Sequence, residues 1–512
     1  MLFNSLEFIL IFLPICLFLF YFFNKLKLYN LRIPLLIAFS LYFYSWWSIK
    51  YLFLLIFSIL INFFIGKKIL KIKNKIILAI GISVNLLLLG YYKYANFFLE
   101  NVNYFWDTNF HLKTIILPLG ISFYTFQQIT YLVDCYLDKI KNPNLDKYFL
   151  FVIFFPQIIA GPIVYHNHIV PQFNDLNKNF FSNKRFSIGI TTFVIGLFKK
   201  TFLADNLALI ASPFFYFSEM GRNLNFFEAW IGAISYTFQL YFDFSGYSDM
   251  ALGIGLMFGI VLPVNFFSPF KSKNISEFWM CWHITLSKLV RNYVYYPISI
   301  FLSRKAIENN FSKIIFFLFS VMIPTLISFL LIGFWHGAGW NFILFGLING
   351  FYIIIYNIWT KLTRNIIFLK KDFWLYEIFC KGITFVSFVI ALVFFKSSNI
   401  EKSFFYLKAL FGLGKFDIVD IFQVGQFSAD PYTGLSWILF ASVIIFFLPN
   451  TQEFIFKNIR SPFNKDNLII KRNNFININW SPNIYWGVFF VIMFVIGVLF
   501  INKASEFLYF QF

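Results

Sequence analysis

Gly333-Phe334-Trp335-His336-Gly337-Ala338-Gly339-Trp340 lies between an apolar run over 313–335 and a second over 340–358. A helix needs about 20 predominantly apolar residues to cross a bilayer, and each run comes close to that length. An ionisable imidazole at this place needs a reason. Hydrocarbon penalises polar side chains, so a titratable group at such depth faces a bundle interior or a wet cavity, where it handles protons or binds substrate. His336 is therefore the first candidate for chemistry.

Composition extends this reading to the whole chain. Of 512 residues 59% are hydrophobic, 80 are Phe and only 13% are charged, which soluble domains rarely approach. Apolar stretches of spanning or near-spanning length fall at 5–23, 32–48, 51–66, 76–95, 114–133, 187–204, 228–248, 313–335, 340–358, 374–396, 434–449 and 482–501. They predict an all-α polytopic membrane protein. Three further stretches, 149–164, 250–262 and 284–302, read as membrane-associated without crossing; the first carries Pro156, Gly161 and Pro162 and the second is rich in glycine. Broken backbone at membrane depth survives only when buried in protein or lining a cavity.

The formal charge of +19 would suit a nucleic-acid binder, but its placement excludes that class. Lys and Arg cluster in short connectors between spans, as the positive-inside rule requires: Lys25, Lys27 and Arg32; Lys67, Lys68, Lys71, Lys73 and Lys75; Lys139, Lys141 and Lys147; Lys361, Arg364, Lys370 and Lys371; and Lys457, Arg460, Lys465, Lys471 and Arg472. These belong on the cytoplasmic side, which places both termini outside, including the tail Ala504 to Phe512. The first apolar segment, lacking a basic leader and a small-residue cleavage site, is expected to remain as a span. Cys16, Cys135, Cys281 and Cys380 show no paired spacing of a metal or disulfide framework and read as small core residues. No internal repeat of the transporter kind is evident.

Only five histidines are present, and two sit beside tryptophan. The second such segment, Ser276-Glu277-Phe278-Trp279-Met280-Cys281-Trp282-His283-Ile284-Thr285-Leu286-Ser287, precedes an amphipathic run with Lys288, Arg291, Tyr293, Tyr295 and Tyr296. His283 and His336 suggest one shared interior site, one acting as base and the other as orienter or acid, the division used when a hydroxyl is activated. The structural alternative for each is a hydrogen bond to a carbonyl of a neighbouring helix. His111, His166 and His168 lie in or near connectors and suit solvated or structural roles. A third patch, Tyr236 to Gly253, buries Asp243 and Asp249 among aromatics, where they need partners such as Lys271, Lys273 or Arg291. A pair locking the bundle fits them better than catalysis. Gly253-Ile254-Gly255-Leu256-Met257-Phe258-Gly259 lacks the preceding strand of a dinucleotide fingerprint and reads as helix packing.

Several long motifs succeed one another in order: Leu117-Pro118-Leu119-Gly120-Ile121-Ser122-Phe123-Tyr124-Thr125-Phe126-Gln127-Gln128, Phe155-Pro156-Gln157-Ile158-Ile159-Ala160-Gly161-Pro162-Ile163, Gly196-Leu197-Phe198-Lys199-Lys200, Phe242-Asp243-Phe244-Ser245-Gly246-Tyr247-Ser248-Asp249-Met250, Trp282-His283-Ile284-Thr285-Leu286-Ser287 and Trp335-His336-Gly337. This order resembles the membrane-bound O-acyltransferase family, in its bacterial polysaccharide-acetylating branch, from Phe8 to the C-terminus. Two departures stand out. Met280 and Cys281 replace a basic pair, removing any phosphate contact made there, and Arg291-Asn292-Tyr293 replaces Arg-Asp-Tyr while keeping Arg291.

The resemblance implies a helical bundle with a thinned centre, broken helices and a funnel or tunnel. It implies that His336 takes part in acyl transfer with His283 assisting; Trp282, Trp335, Asp243, Asp249 and Arg291 are expected to support the site. Acetyl-CoA from the cytoplasm would be the donor, with no resident cofactor or metal. Residues 1–503 would form the acyltransferase domain and 504–512 an outward tail. That tail, Phe507-Leu508-Tyr509-Phe510-Gln511-Phe512, is similar to the Phe-x-Tyr-x-x-Phe end of the small partner peptide in teichoic-acid D-alanylation, which makes Tyr509 a candidate acyl carrier. The structural alternative is an aromatic interface anchor. The expected role is O-acetylation of an envelope polysaccharide, peptidoglycan first and alginate or another exopolysaccharide second. It would be exercised in the bacterial cytoplasmic membrane, among its lipids, with a periplasmic SGNH-type O-acetyltransferase as partner. A lipid-linked saccharide transporter or flippase and a structural scaffold are the rivals from other classes.

Overall fold

The computed structural model describes residues 1–110, 112, 115–175, 182–363, 374–413, 431–456 and 478–501. Among them every regular element is helical. Among the described residues seven helices are long and apolar enough to cross a membrane: Phe8–Lys25, Ile49–Ile72, Lys75–Trp106, Asn183–Glu219, Lys313–His336, Trp340–Leu362 and Trp374–Lys396. The remaining expected spans are helical too, at Arg32–Ser45, Ile121–Tyr136, Phe226–Met257, Pro431–Phe447 and Ile484–Leu499.

The helix Phe226–Met257 runs through the core, and nearly all of its residues from Ala229 onward are buried. Its start is fixed by a capping box, in which Asn225 Oδ1 accepts from Glu228 N while Glu228 accepts from Asn225 N. It lies backbone to backbone against Asn183–Phe198. A Cβ at Gly196 would stand 2.5 Å from the Gly246 carbonyl oxygen, and one at Gly253 would stand 2.5 Å from that of Gly189. Two glycine pairs therefore let the axes approach, as small residues do between membrane helices.

That contact corrects the reading of 250–262 as a separate broken stretch. Its first eight residues continue the central helix to Met257, because the glycines are used for close approach instead of bending. The helix stops before Gly259, whose φ is +79°. Asp243 and Asp249 also find partners other than those expected. Lys200 Nζ is 2.7 Å from Asp243 and 2.8 Å from Asp205, and Lys199 Nζ is 2.7 Å from Asp249. Thr451 Oγ1 and Gln452 Nε2 also donate to Asp249, at 2.7 and 2.9 Å. A π-helical stretch, Lys199–Ala204, carries both lysines on the helix packed against the acids, whereas Lys271 donates to the Leu448 carbonyl and Lys273 pairs with Glu377.

The stretch 149–164 is broken as expected. Helix Leu145–Ile153 ends before Pro156, and the irregular backbone beyond it stays buried. Side chains satisfy its amides: Phe155 N donates to Ser40 Oγ at 3.1 Å and Ile163 N to Thr285 Oγ1 at 3.0 Å. The fifth expected span begins later than its hydropathy suggests, at Ile121, because Pro118 and Gly120 build the turn before it. Gly120 has φ +69° and its α-carbon faces the Ile158 carbonyl, so only glycine fits. Beyond the central helix the chain forms two helices of seven residues each, Ile275–Cys281, which packs on Trp340–Leu362, and Ile284–Val290, each about 10 Å long and far too short to span. They bring His283 to the interior. Tyr509, the tail around it and His111 lie outside the described residues.

Candidate active site

His336 is the last residue of its helix, and Gly337 continues in extended conformation. The helix packs tightly on Trp340–Leu362: the Gly333 α-carbon faces the Phe342 carbonyl and Gly346, and a side chain at Gly337 would enter the Phe342 ring. The glycine after the histidine is there for space. The imidazole is buried and edged by aromatic rings, with centroids 4.9 Å from Trp335, 5.1 Å from Phe395 and 6.0 Å from Phe345.

His283 occupies the junction between the two short helices, in the left-handed region at φ 43°, ψ 53°. Few non-glycine residues hold such a backbone without support. Asn265 supplies it. Its carbonyl oxygen accepts from Ile284 N at 2.9 Å, and its Oδ1 accepts from Thr285 N at 3.3 Å and Thr285 Oγ1 at 2.9 Å. The same Oδ1 lies 3.0 Å from His283 Nδ1. An atom that accepts from a backbone amide is an oxygen, so Nδ1 is the protonated nitrogen and the lone pair of neutral His283 is on Nε2. Asn265 was not among the residues singled out from sequence; its only signal was a polar side chain in the apolar stretch before Phe266-Phe267.

The structure brings the two histidines together around one indole. Trp335 has its ring centroid 6.0 Å from His283 and 4.9 Å from His336, and it stacks on Phe126 at 5.8 Å and 14°. Trp282 serves differently. It stacks on Phe278 at 5.6 Å and packs against Phe388 at 4.9 Å, as part of the wall behind His283. Asp243 and Asp249 are engaged with lysines and hold helices together.

A cavity of about 290 Å³ adjoins this cluster, lined among others by Met280, Ser287, Lys288, Arg291, Ser328 and Ile332. Ile332 precedes His336 by one helical turn, about 6 Å along the axis. Arg291 Nε and Ser328 Oγ are buried with no hydrogen-bond partner among the described residues. Cys281, by contrast, is buried in the core, so of the two positions lacking the basic pair only Met280 reaches the cavity.

Residues 134–396 match the model of the MBOAT, membrane-bound O-acyltransferase family. The chain is 40% identical over 444 residues to the peptidoglycan O-acetyltransferase of Helicobacter pylori, covering 81% of this chain and 80% of that one. It is 33% identical over 528 residues to a probable alginate O-acetylase of Pseudomonas putida, along 100% of both chains. A teichoic acid D-alanyltransferase of Bacillus subtilis is 30% identical over 272 residues, 51% of this chain and 64% of that one.

Proposed function

From the premise that the chain belongs to the membrane-bound O-acyltransferase family, we propose that it takes acetyl from cytoplasmic acetyl-CoA and passes it across the membrane to O-acetylate peptidoglycan. Membership makes it an acyltransferase and sets aside the transporter and scaffold readings. The preference for peptidoglycan over alginate is supported by the higher identity to the peptidoglycan enzyme.

One observation carries the assignment of residues: His283 and His336 pack on the same indole, and a cavity with two cations begins one turn before His336. Loop charge supports a cytoplasmic position for that cavity. It is lined by Asn357, five residues from the end of Trp340–Leu362, next to the basic connector that carries Lys361 and Arg364. Lys288 and Arg291 suit the phosphates of a CoA thioester, with Ser328 and Arg291 Nε available to its amides.

In the reaction, His336 takes the proton of an acceptor hydroxyl, the oxygen attacks the thioester carbonyl, and the carbon–sulfur bond breaks. The proton passes to the leaving thiolate, so acetyl-CoA and an alcohol become an acetyl ester and CoA. His283, with its Nδ1 proton committed to Asn265, offers an acceptor nitrogen; this supports the orienting role over the acid role.

The acceptor in this reading is the phenol of Tyr509, which would hand acetyl to a periplasmic SGNH-type transferase. Intact-mass analysis after incubation with acetyl-CoA tests it, with Tyr509→Phe and His336→Ala in parallel. An acetyl adduct lost in both variants is expected. An adduct retained in Tyr509→Phe returns the tail to an anchor role, and one retained in His336→Ala removes the histidine from the chemistry.

A further inference from the structure

A helix leaves its last four carbonyls without partners in its own ladder, and a buried helix end must find them elsewhere. For the helix ending at His336, three are met by one turn of a helix some 240 residues earlier in the chain. Tyr94 Oη donates to the Phe334 carbonyl at 2.8 Å, and its ring stacks on Phe334 at 4.1 Å and 12°. Lys93 Nζ donates to the Trp335 carbonyl and, at 3.3 Å, to that of His336 itself. Ser122 Oγ lies 3.5 Å from the same ammonium, which also sits 5.8 Å from the Trp335 ring centroid.

Lys93 and Tyr94 belong to a π-helical turn, Gly90–Tyr94, inside the span Lys75–Trp106. The extra residue of a π-turn rotates the rest of the helix about its axis, and such turns collect at functional sites. Here adjacent residues reach the same helix end. Gly337 offers no backbone cap of its own, so these two side chains close the end of the helix that carries the imidazole, beside its packing on Trp340–Leu362. A cation at the carbonyl end also complements the helix dipole, in surroundings where screening is weak.

We propose that Lys93 is a positioning residue for acyl transfer: its ammonium clamps the end of the His336 helix and sets where the imidazole meets the reacting hydroxyl. This rests on His336 being the base. Misplacing a catalytic group by about 1 Å costs on the order of a hundredfold.

The test is first-turnover CoA release, one acetyl per chain, from acetyl-CoA by the full-length protein in nanodiscs, with its maximal rate constant (kcat below), half-saturating acetyl-CoA concentration (KM below) and thermal midpoint measured for Lys93→Met, Lys93→Arg, Lys93→Gln and His336→Ala. Lys93→Met should lose kcat by about a hundredfold with KM within about threefold, and Lys93→Arg should recover kcat to within about fivefold of wild type. If Lys93→Met does not fold, Lys93→Gln, which donates without charge, takes its place and should lose kcat by about tenfold. Either neutral variant turning over at the wild-type rate, or Arg rescuing no better than Met or Gln, overturns the proposal. His336→Ala separates the two failures. If it is inactive while Lys93→Met is active, only the clamp is wrong; if it is active, the base assignment beneath it is wrong.

Discussion

His283 Nδ1 lies 3.0 Å from Asn265 Oδ1, and that oxygen also accepts from the backbone and hydroxyl of Thr285. One buried amide therefore fixes the tautomer of the imidazole and the left-handed backbone beneath it. Asn265→Ala should lower turnover by about 10- to 100-fold while leaving KM for acetyl-CoA nearly unchanged. Initial rates of CoA release measure this, and an unchanged kcat would remove Asn265 from the site.

The roles of the histidines predict different losses. His336→Ala should abolish polysaccharide acetylation while the protein still inserts and folds. His283→Asn, which tolerates a positive φ and so keeps the helix junction, should retain measurable transfer reduced by about 10²- to 10³-fold. O-acetyl content of the envelope polysaccharide in cells carrying each variant as the sole copy distinguishes them; equal activity in the two variants would contradict the division.

Lys200 stands between Asp205 and Asp243, all three buried. Lys200→Met strands carboxylates in a medium that solvates them poorly and should cost about 3–5 kcal/mol. Replacing both acids as well, in Lys200→Met with Asp205→Asn and Asp243→Asn, should recover most of the loss. Thermal unfolding in detergent reads both, and a triple variant no better than the single one would show that the charges are not what the bundle depends on.

Glycines sort by what a methyl group would meet. Gly196→Ala places a carbon against the Gly246 carbonyl, 2.5 Å away, where neither backbone can yield, and should destabilise by about 1–3 kcal/mol. Gly382 and Gly487 have nothing within 4 Å, and Ala there should be neutral or stabilise by up to about 1 kcal/mol through helix propensity. A Gly196→Ala midpoint equal to that of Gly382→Ala would refute the seam.

Much of the site was legible because its residue types are costly where they stand. His336 and His283 showed themselves as imidazoles among aromatics, and Asp243 and Asp249 as acids that had to be paired. The partners were less legible. Lys199 and Lys200 appear in sequence as a basic pair after an apolar span and reach the acids because Asn183–Glu219 crosses the central helix at the glycine seam. Asn265 and Lys93 gave at most a weak signal, since one amide in an apolar stretch and a lysine near the end of a span are ordinary until something far away in the chain faces them.

Hydropathy and spacing are local properties, so the sequence by itself determined the helical class, the approximate spans and the costly residues within them. A buried polar group, however, is satisfied by whatever the packing places within about 3 Å. Which cation meets which acid, which amide sets the His283 tautomer and which side chains close the end of the His336 helix are relationships between residues up to 243 positions apart. Only the tertiary structure decides them, because the energy of a hydrogen bond or ion pair depends on distance through space and not along the chain.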